Sequence, residues 1–194
     1  MAPSQVRLSG FRPIGFDRGA GLIKECIWLL VSLTLFRLCP FSLSALKRAV
    51  LRAFGAKIGR GVVIKPQVKI TFPWKLEVGD FVWLGEECWL LNLDRIVIGS
   101  HVCISQRAFL CTGNHDYRVP TFDLMVKPIF VEDGAWLGAG SWVAPGVTIR
   151  SHAILTAGSV ATGNLETFGI YQGNPAVRVK QRILEQPKGL SETH

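Results

Sequence analysis

The residues best suited to chemistry stand together at Asn114-His115-Asp116-Tyr117-Arg118. A neutral imidazole takes up a proton near pH 7, so His115, at the root of a loop, is suited to act as general base toward a substrate hydroxyl. Asp116 and Tyr117 beside it, and Asn92 and Asp94 earlier in the chain, are the donor and acceptor types that a hydroxyl-rich ligand needs. Asn and Asp are equally common in turns, so this second group also has a purely local explanation. His101 and His152 fall at sequence positions expected to be solvated corners, and His194 lies in the tail.

What must position these residues is a six-residue stride. Val131, Leu137, Val143, Ile149, Leu155 and Ala161 are six apart, with Ala135, Ser141, Val147, Ala153 and Ser159 four residues after the first five. Shorter blocks repeat the pattern, as in Ile58 and Ile64, Val78 and Leu84, and Ile98 and Ile104. A helix has a period near 3.6 and a strand a period of 2, whereas a fixed stride of six describes a coil stacked on itself. Three hexads make one triangular coil, each giving a short strand with its aliphatic residue inward. Stacking supplies the core that no single coil can bury. The stride breaks twice, by two residues around Leu93 to Arg95 and by about fifteen from Asp116 to Phe130, and His115 stands at the second break. Loops that leave a rigid coil are where chemistry tends to be placed.

Counting outward places predicts three files of side chains. Trp83, Cys103, Trp136 and Ile154 form one, Trp89, Phe109, Trp142 and Val160 the next, and Arg95, His115, Thr148 and Glu166 the third. Two faces that are apolar on the outside suit a head-to-tail ring, here a homotrimer.

The 194 residues fit one domain with appendages, and five cysteines, odd in number and without metal-type spacing, read as free thiols in a reducing cytoplasm. Of the net charge of +8, residues 1 to 70 hold twelve Lys or Arg against Asp17 and Glu25, a balance of +10, and the rest of the chain ten against twelve, a balance of −2. Within that basic region Ile27 to Phe36 is apolar on nearly all sides. Residues 43 to 54 predict a short helix with Leu46, Val50 and Phe54 on one side and Lys47, Arg48 and Arg52 on another, stopped by Gly55. The apolar run is short for a membrane span and lacks a signal-peptide cleavage pattern. Two readings stay open: a helical cap closing the first coil, and a segment lying on the cytoplasmic face of an anionic membrane. Nucleic acid is not expected as a partner, because the cations are not set in a recognisable binding motif.

Residues 56 to 180 resemble the hexapeptide-repeat acyltransferases. Phe72-Pro73-Trp74, Leu110-Cys111-Thr112-Gly113-Asn114-His115-Asp116-Tyr117 and Gly173-Asn174-Pro175-Ala176 are similar to the branch that O-acetylates sugars in colanic-acid and other exopolysaccharide synthesis. The resemblance implies an all-β, left-handed parallel β-helix, a hand opposite to the usual crossover rule. The expected layout is an N-terminal helical segment over 1–55, a coil over 56–166 with an inserted loop at 116–130, and a C-terminal tail or helix over 167–194. It also implies acetyl-coenzyme A as donor, a trimer, and His115 as the base that deprotonates the acceptor for direct attack on the thioester. Backbone amides along the coil would steady the developing oxyanion. The positions matching the family's coenzyme A groove, which runs between subunits, are Trp136, Ala139, Ala157 and Thr162. Gly163 and Val177 stand where relatives carry basic residues, which leaves Arg178, Lys180 or Arg182 to supply that charge. The acceptor would be a sugar or a lipid-linked saccharide.

Three rival readings share the coil. Hexapeptide-repeat carbonic anhydrases need converging histidines on zinc, whereas His101, His115 and His152 occupy unlike hexad places, so no metal is expected. A non-catalytic trimeric scaffold, and transfer to a small amine or amino sugar, are the others.

Overall fold

The computed structural model describes residues 5–13, 15–39 and 43–185. The six-residue stride is the core of a parallel β-helix. Two- and three-residue strands stack coil upon coil into three sheets. The first sheet runs Lys57–Ile58, Leu76–Val78, Ile96–Ile98, Ile129–Val131, Thr148–Ile149, all parallel. The second begins at Val63–Ile64 and the third at Lys69–Ile70, and Leu165 onward opens a sixth coil by bridging Ile149. Val131, Leu137, Val143, Ile149, Leu155 and Ala161 are all buried, as are the small residues four places on. Close stacking demands glycine at some corners: a Cβ on Gly138 would stand 2.5 Å from the Ala157 nitrogen of the next coil.

Two outward files form as the stride predicts, with Trp83, Cys103, Trp136 and Ile154 in register on the second sheet and Trp89, Phe109, Trp142 and Val160 on the third. Trp89 stacks on Phe109 at 4.8 Å between ring centroids. The third file differs from expectation: it is Lys57, Glu77, Val97, Phe130 and Thr148. Extra residues at the breaks lengthen the corner, so the outward place is the one just before the inward Ile98 or Val131. Counting forward from Leu90 or Leu110 reached Arg95 and His115 instead. Glu166 also misses the file, because Leu165 is the inward residue that bridges Ile149.

Two helices sit on the first coil, α1 (Leu22–Val31), continued by a π-helix (Ser32–Leu38), and α2 (Ser44–Ala53). Their side chains bond the carbonyls that this coil would otherwise leave open. Arg48 donates to Val62 O at 2.7 Å, Arg52 to Ile58 O at 2.9 and 2.7 Å, and Trp28 Nε1 to Ile70 O at 3.0 Å. The predicted faces of α2 are partly inverted, because the cap turns cations inward. Lys47 is fully buried, donating to Lys65 O at 3.3 Å, while Leu46 is exposed. Burial pushes the Lys47 ammonium below the usual lysine range.

The C-terminal segment is a hairpin. Gly169–Gly173 pairs in parallel with the coil strand Ile154–Leu155 and then antiparallel with Ala176–Gln181. Gly173-Asn174-Pro175-Ala176 is its turn, and residues 186–194 lie outside the described ones.

Candidate active site

The edge between the third and first sheets carries every break in the stride. Its largest is a β-hairpin rather than a plain loop, Gly113–Asp116 paired antiparallel with Asp123–Val126, and His115 lies opposite Leu124 on its first strand. Asp116 folds the connecting turn. Its carboxylate accepts from the Arg118 backbone at 3.0 Å and from the guanidinium at 2.8 and 2.7 Å. These bonds hold the Asp116 carboxyl down to about 2. Tyr117 at the tip is 80% exposed.

The turn also orients the imidazole. His115 Nδ1 lies 2.7 Å from Phe122 O, and a carbonyl only accepts. In the neutral ring Nδ1 therefore holds the proton and Nε2 keeps a free lone pair. Phe11 and Phe122 meet the ring edge-on at 6.0 and 6.5 Å between centroids.

One coil lower, the two-residue break places Asn92 and Asp94 differently from each other. Asn92 is corrected from ligand to brace: it is fully buried, its Oδ1 accepting from Thr71 N at 3.1 Å and Phe72 N at 2.9 Å while its amide donates to Phe72 O at 2.6 Å. It pins the Phe72-Pro73-Trp74 corner. Asp94 stays half-buried at the surface, its backbone N–H on Thr112 Oγ1 at 3.0 Å.

Sequence reasoning missed three contributors here. Lys75 donates to Leu93 O at 2.6 Å and to Asp17 O, and lies over the Phe16 and Phe72 rings at 5.1 and 5.6 Å. Burial pushes its ammonium pKa down. Phe11 belongs to an N-terminal strap tied at Arg7 N to Pro120 O, 2.8 Å, and at Arg18 O to Trp74 Nε1, 2.6 Å. The Phe122 carbonyl is a backbone group without a sequence signature. Lys75 alone had a signal, its place directly after Phe72-Pro73-Trp74.

The candidate donor residues divide between two edges. Ala139 and Ala157 lie one above the other between the second and third sheets, linked by the Gly158 N–H to Ala139 O at 2.9 Å. Below them on that edge stand Gln106 and Glu86, so the side chains shrink along it and expose backbone at the upper coils. Trp136, with Nε1 on Ser105 Oγ at 2.9 Å, begins the same coil's approach to this edge. Thr162 instead follows Val160–Ala161 on the edge that carries His115. Of the terminal cations, Arg182 is tied to Gly134 O and His152 O at 2.8 and 3.0 Å, and Arg178 bonds the Gln181 side chain. Lys180 pairs with Ile170 at the end of the second sheet and is exposed.

Among the described residues, no group of three or more His, Cys, Asp or Glu is placed to hold a metal ion. His101 stacks on Phe81 and His152 on Phe168, both on the edge between the first and second sheets, away from the His115 hairpin.

No family model matches the chain. It is 44% identical over 177 residues, 91% of this chain and 97% of the relative, to the Escherichia coli K12 protein assigned as the colanic acid biosynthesis acetyltransferase WcaF. The chain belongs to the WcaF group of hexapeptide-repeat acetyltransferases. A galactoside O-acetyltransferase of Lactococcus lactis is 27% identical, covering 87% of this chain and 83% of its own length. The fold recurs in a hexapeptide-repeat acetyltransferase of Vibrio cholerae solved in complex with acetyl-coenzyme A, with a TM-score of 0.75, 24% identity, and coverage of 88% of this chain and 94% of that one. A WcaF-type acetyltransferase thus carries its histidine on the hairpin, on an edge distinct from its paired alanines.

Proposed function

We propose that this acetyltransferase moves an acetyl group from acetyl-coenzyme A to a sugar hydroxyl in exopolysaccharide or related glycan biosynthesis, with His115 as general base. The observation that carries the reading is the His115 Nδ1 bond to Phe122 O, which leaves Nε2 to accept the hydroxyl proton as the oxygen attacks the acetyl carbonyl. The coenzyme A thiolate then leaves, and the proton held on Nε2 returns to it, so no covalent bond to the protein is needed. The assignment of the E. coli relative, the galactoside acceptor named for the Lactococcus enzyme and the donor bound to the Vibrio protein all support this chemistry.

The donor lies along the Ala139 and Ala157 edge, where small side chains let a pantetheine arm reach backbone, with Trp136 beside it and Arg178 or Lys180 toward the phosphates. Because Thr162 and His115 share the other edge, one subunit's histidine serves a donor held by the next. The exposed aromatic files support such a homotrimer. Asp94 beside Thr112, Tyr117 at the hairpin tip and Lys75 beside Leu93 are offered to a free or lipid-linked saccharide, while Asp116 shapes the turn. A lipid-linked acceptor would bring the enzyme to the cytoplasmic face of a membrane.

The test is thiol release from acetyl-coenzyme A with free, nucleotide-linked and lipid-linked sugars, with the mass of each acceptor followed. Release together with one acetyl mass gain on a sugar that has no amine is the expected result. Turnover only with amines would overturn the hydroxyl assignment.

A further inference from the structure

Helix α1 is inverted. In most surface helices the apolar stripe faces the core and the charges face water. Of the ten residues Leu22–Val31, only Trp28 is buried. Both charged residues lie on its side of the helix, Lys24 with Nζ 4.9 Å from the Trp74 ring and Glu25 bonded to Arg18 at 2.5 Å. At about 100° per residue, Leu29, Leu22, Cys26, Leu30, Ile23 and Ile27 fill the opposite arc of roughly 160° without a polar group among them. Leu22 is 75% exposed, Ile23 78% and Leu30 65%, and the π-helix extends the patch with Leu33 and Leu38.

The cap function does not require this surface. The open carbonyls of the first coil are met by Trp28 and by α2, so the outward arc of α1 contributes nothing to closing the coil. An apolar surface of this extent marks a partner.

We propose that the outward arc of α1 is an interfacial helix that seats the enzyme on an anionic lipid bilayer. Charge favours lipid as the occupant. Residues 1–70 carry a balance of +10; Lys47, Arg48 and Arg52 among them are turned into the cap, and exposed Arg37 stands between Leu33 and Leu38 at the end of the patch. Length agrees: α1 and the π-helix that continues it, Leu22–Leu38, span at most about 25 Å, short of the roughly 30 Å hydrocarbon thickness, so the segment lies in the interface. No helix among the described residues is long and apolar enough to cross a membrane. Position agrees too. The α1 arc is at the end of the coil, whereas the aromatic files that suit subunit contacts run along its sides and reach the π-helix where Leu33 and Arg37 line a cavity with Trp89, so a ring of parallel coils would present three such helices in one direction.

This deepens the peripheral contact raised with the lipid-linked acceptor and is independent of acetyl transfer. It is tested by co-sedimentation of the full chain with phosphatidylglycerol-containing vesicles and with phosphatidylcholine vesicles. Wild type is expected to partition onto the anionic vesicles, and the triple variant Leu22→Gln, Ile23→Gln, Leu30→Gln to lose at least tenfold in partitioning with unchanged thiol release and sedimentation. As a second readout, a solvatochromic dye on Leu30→Cys should shift to the blue with anionic vesicles. Binding that survives the triple variant would overturn the assignment to α1 and leave membrane contact to another surface. Wild type that binds no vesicle would overturn the membrane contact altogether, with acetyl transfer untouched. A change of oligomeric state in the variant would assign the arc to a second copy of the chain and overturn the lipid occupant.

Discussion

The two edges that flank the third sheet are built from the same coils and behave differently. Toward the second sheet, no residue breaks the stride, and the edge passes from Glu86 and Gln106 to Ala139 and Ala157, the Glu86, Gln106 and Ala139 carbonyls each accepting a hydrogen bond from the coil above. Toward the first sheet the first three coils depart from the rule, with the Phe72-Pro73-Trp74 corner, the Asn92 to Asp94 break and the hairpin that carries His115. The regular edge offers a smooth track of backbone and methyl groups. The irregular one offers side chains of defined orientation. Keeping insertions to one edge lets the stack stay closed while an imidazole is held at a fixed angle.

The widest gap between the edges should appear in turnover. His115→Ala is expected to lower kcat by about 100- to 10,000-fold, the usual contribution of a positioned general base, with the melting temperature and sedimentation of wild type. Comparable kcat would place the chemistry elsewhere. On the regular edge, Ala157→Trp is expected to raise KM for acetyl-coenzyme A by about tenfold or more while leaving acceptor KM near wild type, since its indole would fill the track. Equal effects on both substrates would erase the division of labour between the edges.

Stability should separate the edges next. Asn92→Ala removes the bonds at 2.6, 2.9 and 3.1 Å that hold the Phe72 corner and leaves the buried Phe72 N–H unpaired, Thr71 N keeping Leu90 O and Phe72 O keeping Lys75 N. The expected loss is about 1–3 kcal/mol in denaturant unfolding, and a change within error would mean that water replaces the amide. The smallest effect concerns the turn. Asp116 titrates near 2 because of Arg118, so its ion pair is complete above the ordinary carboxylate range and is lost as pH falls through that value. Arg118→Gln should return the Asp116 midpoint toward 3.8 by NMR, and a midpoint that stays low would assign the shift to another group.

The contrast also explains what was legible in the sequence. Where the stride is unbroken, as at Leu137, Val143 and Leu155, a residue's place states whether it is buried, and the two aromatic files follow directly. Across a break the count loses phase, which is why it reaches Arg95 and His115 where Val97 and Phe130 stand. Asn92 has the composition of a ligand and the position of a brace, and only its three backbone partners tell the two apart. His115 was visible because it stands at the largest break. Its orienting partner was not, since any residue at 122 supplies a carbonyl. Phe11 was invisible for a similar reason: its contact joins residues more than a hundred positions apart, with no periodicity to announce it.

The central claim is that the hairpin presents His115 with Nδ1 protonated and Nε2 free. Long-range 1H–15N correlation spectra of protein labelled at histidine, recorded where the ring is neutral, read this directly. The account predicts the Nδ1–H tautomer for His115, assigned by its disappearance in His115→Ala. An Nε2–H tautomer would contradict it, because that nitrogen could not then take the acceptor proton.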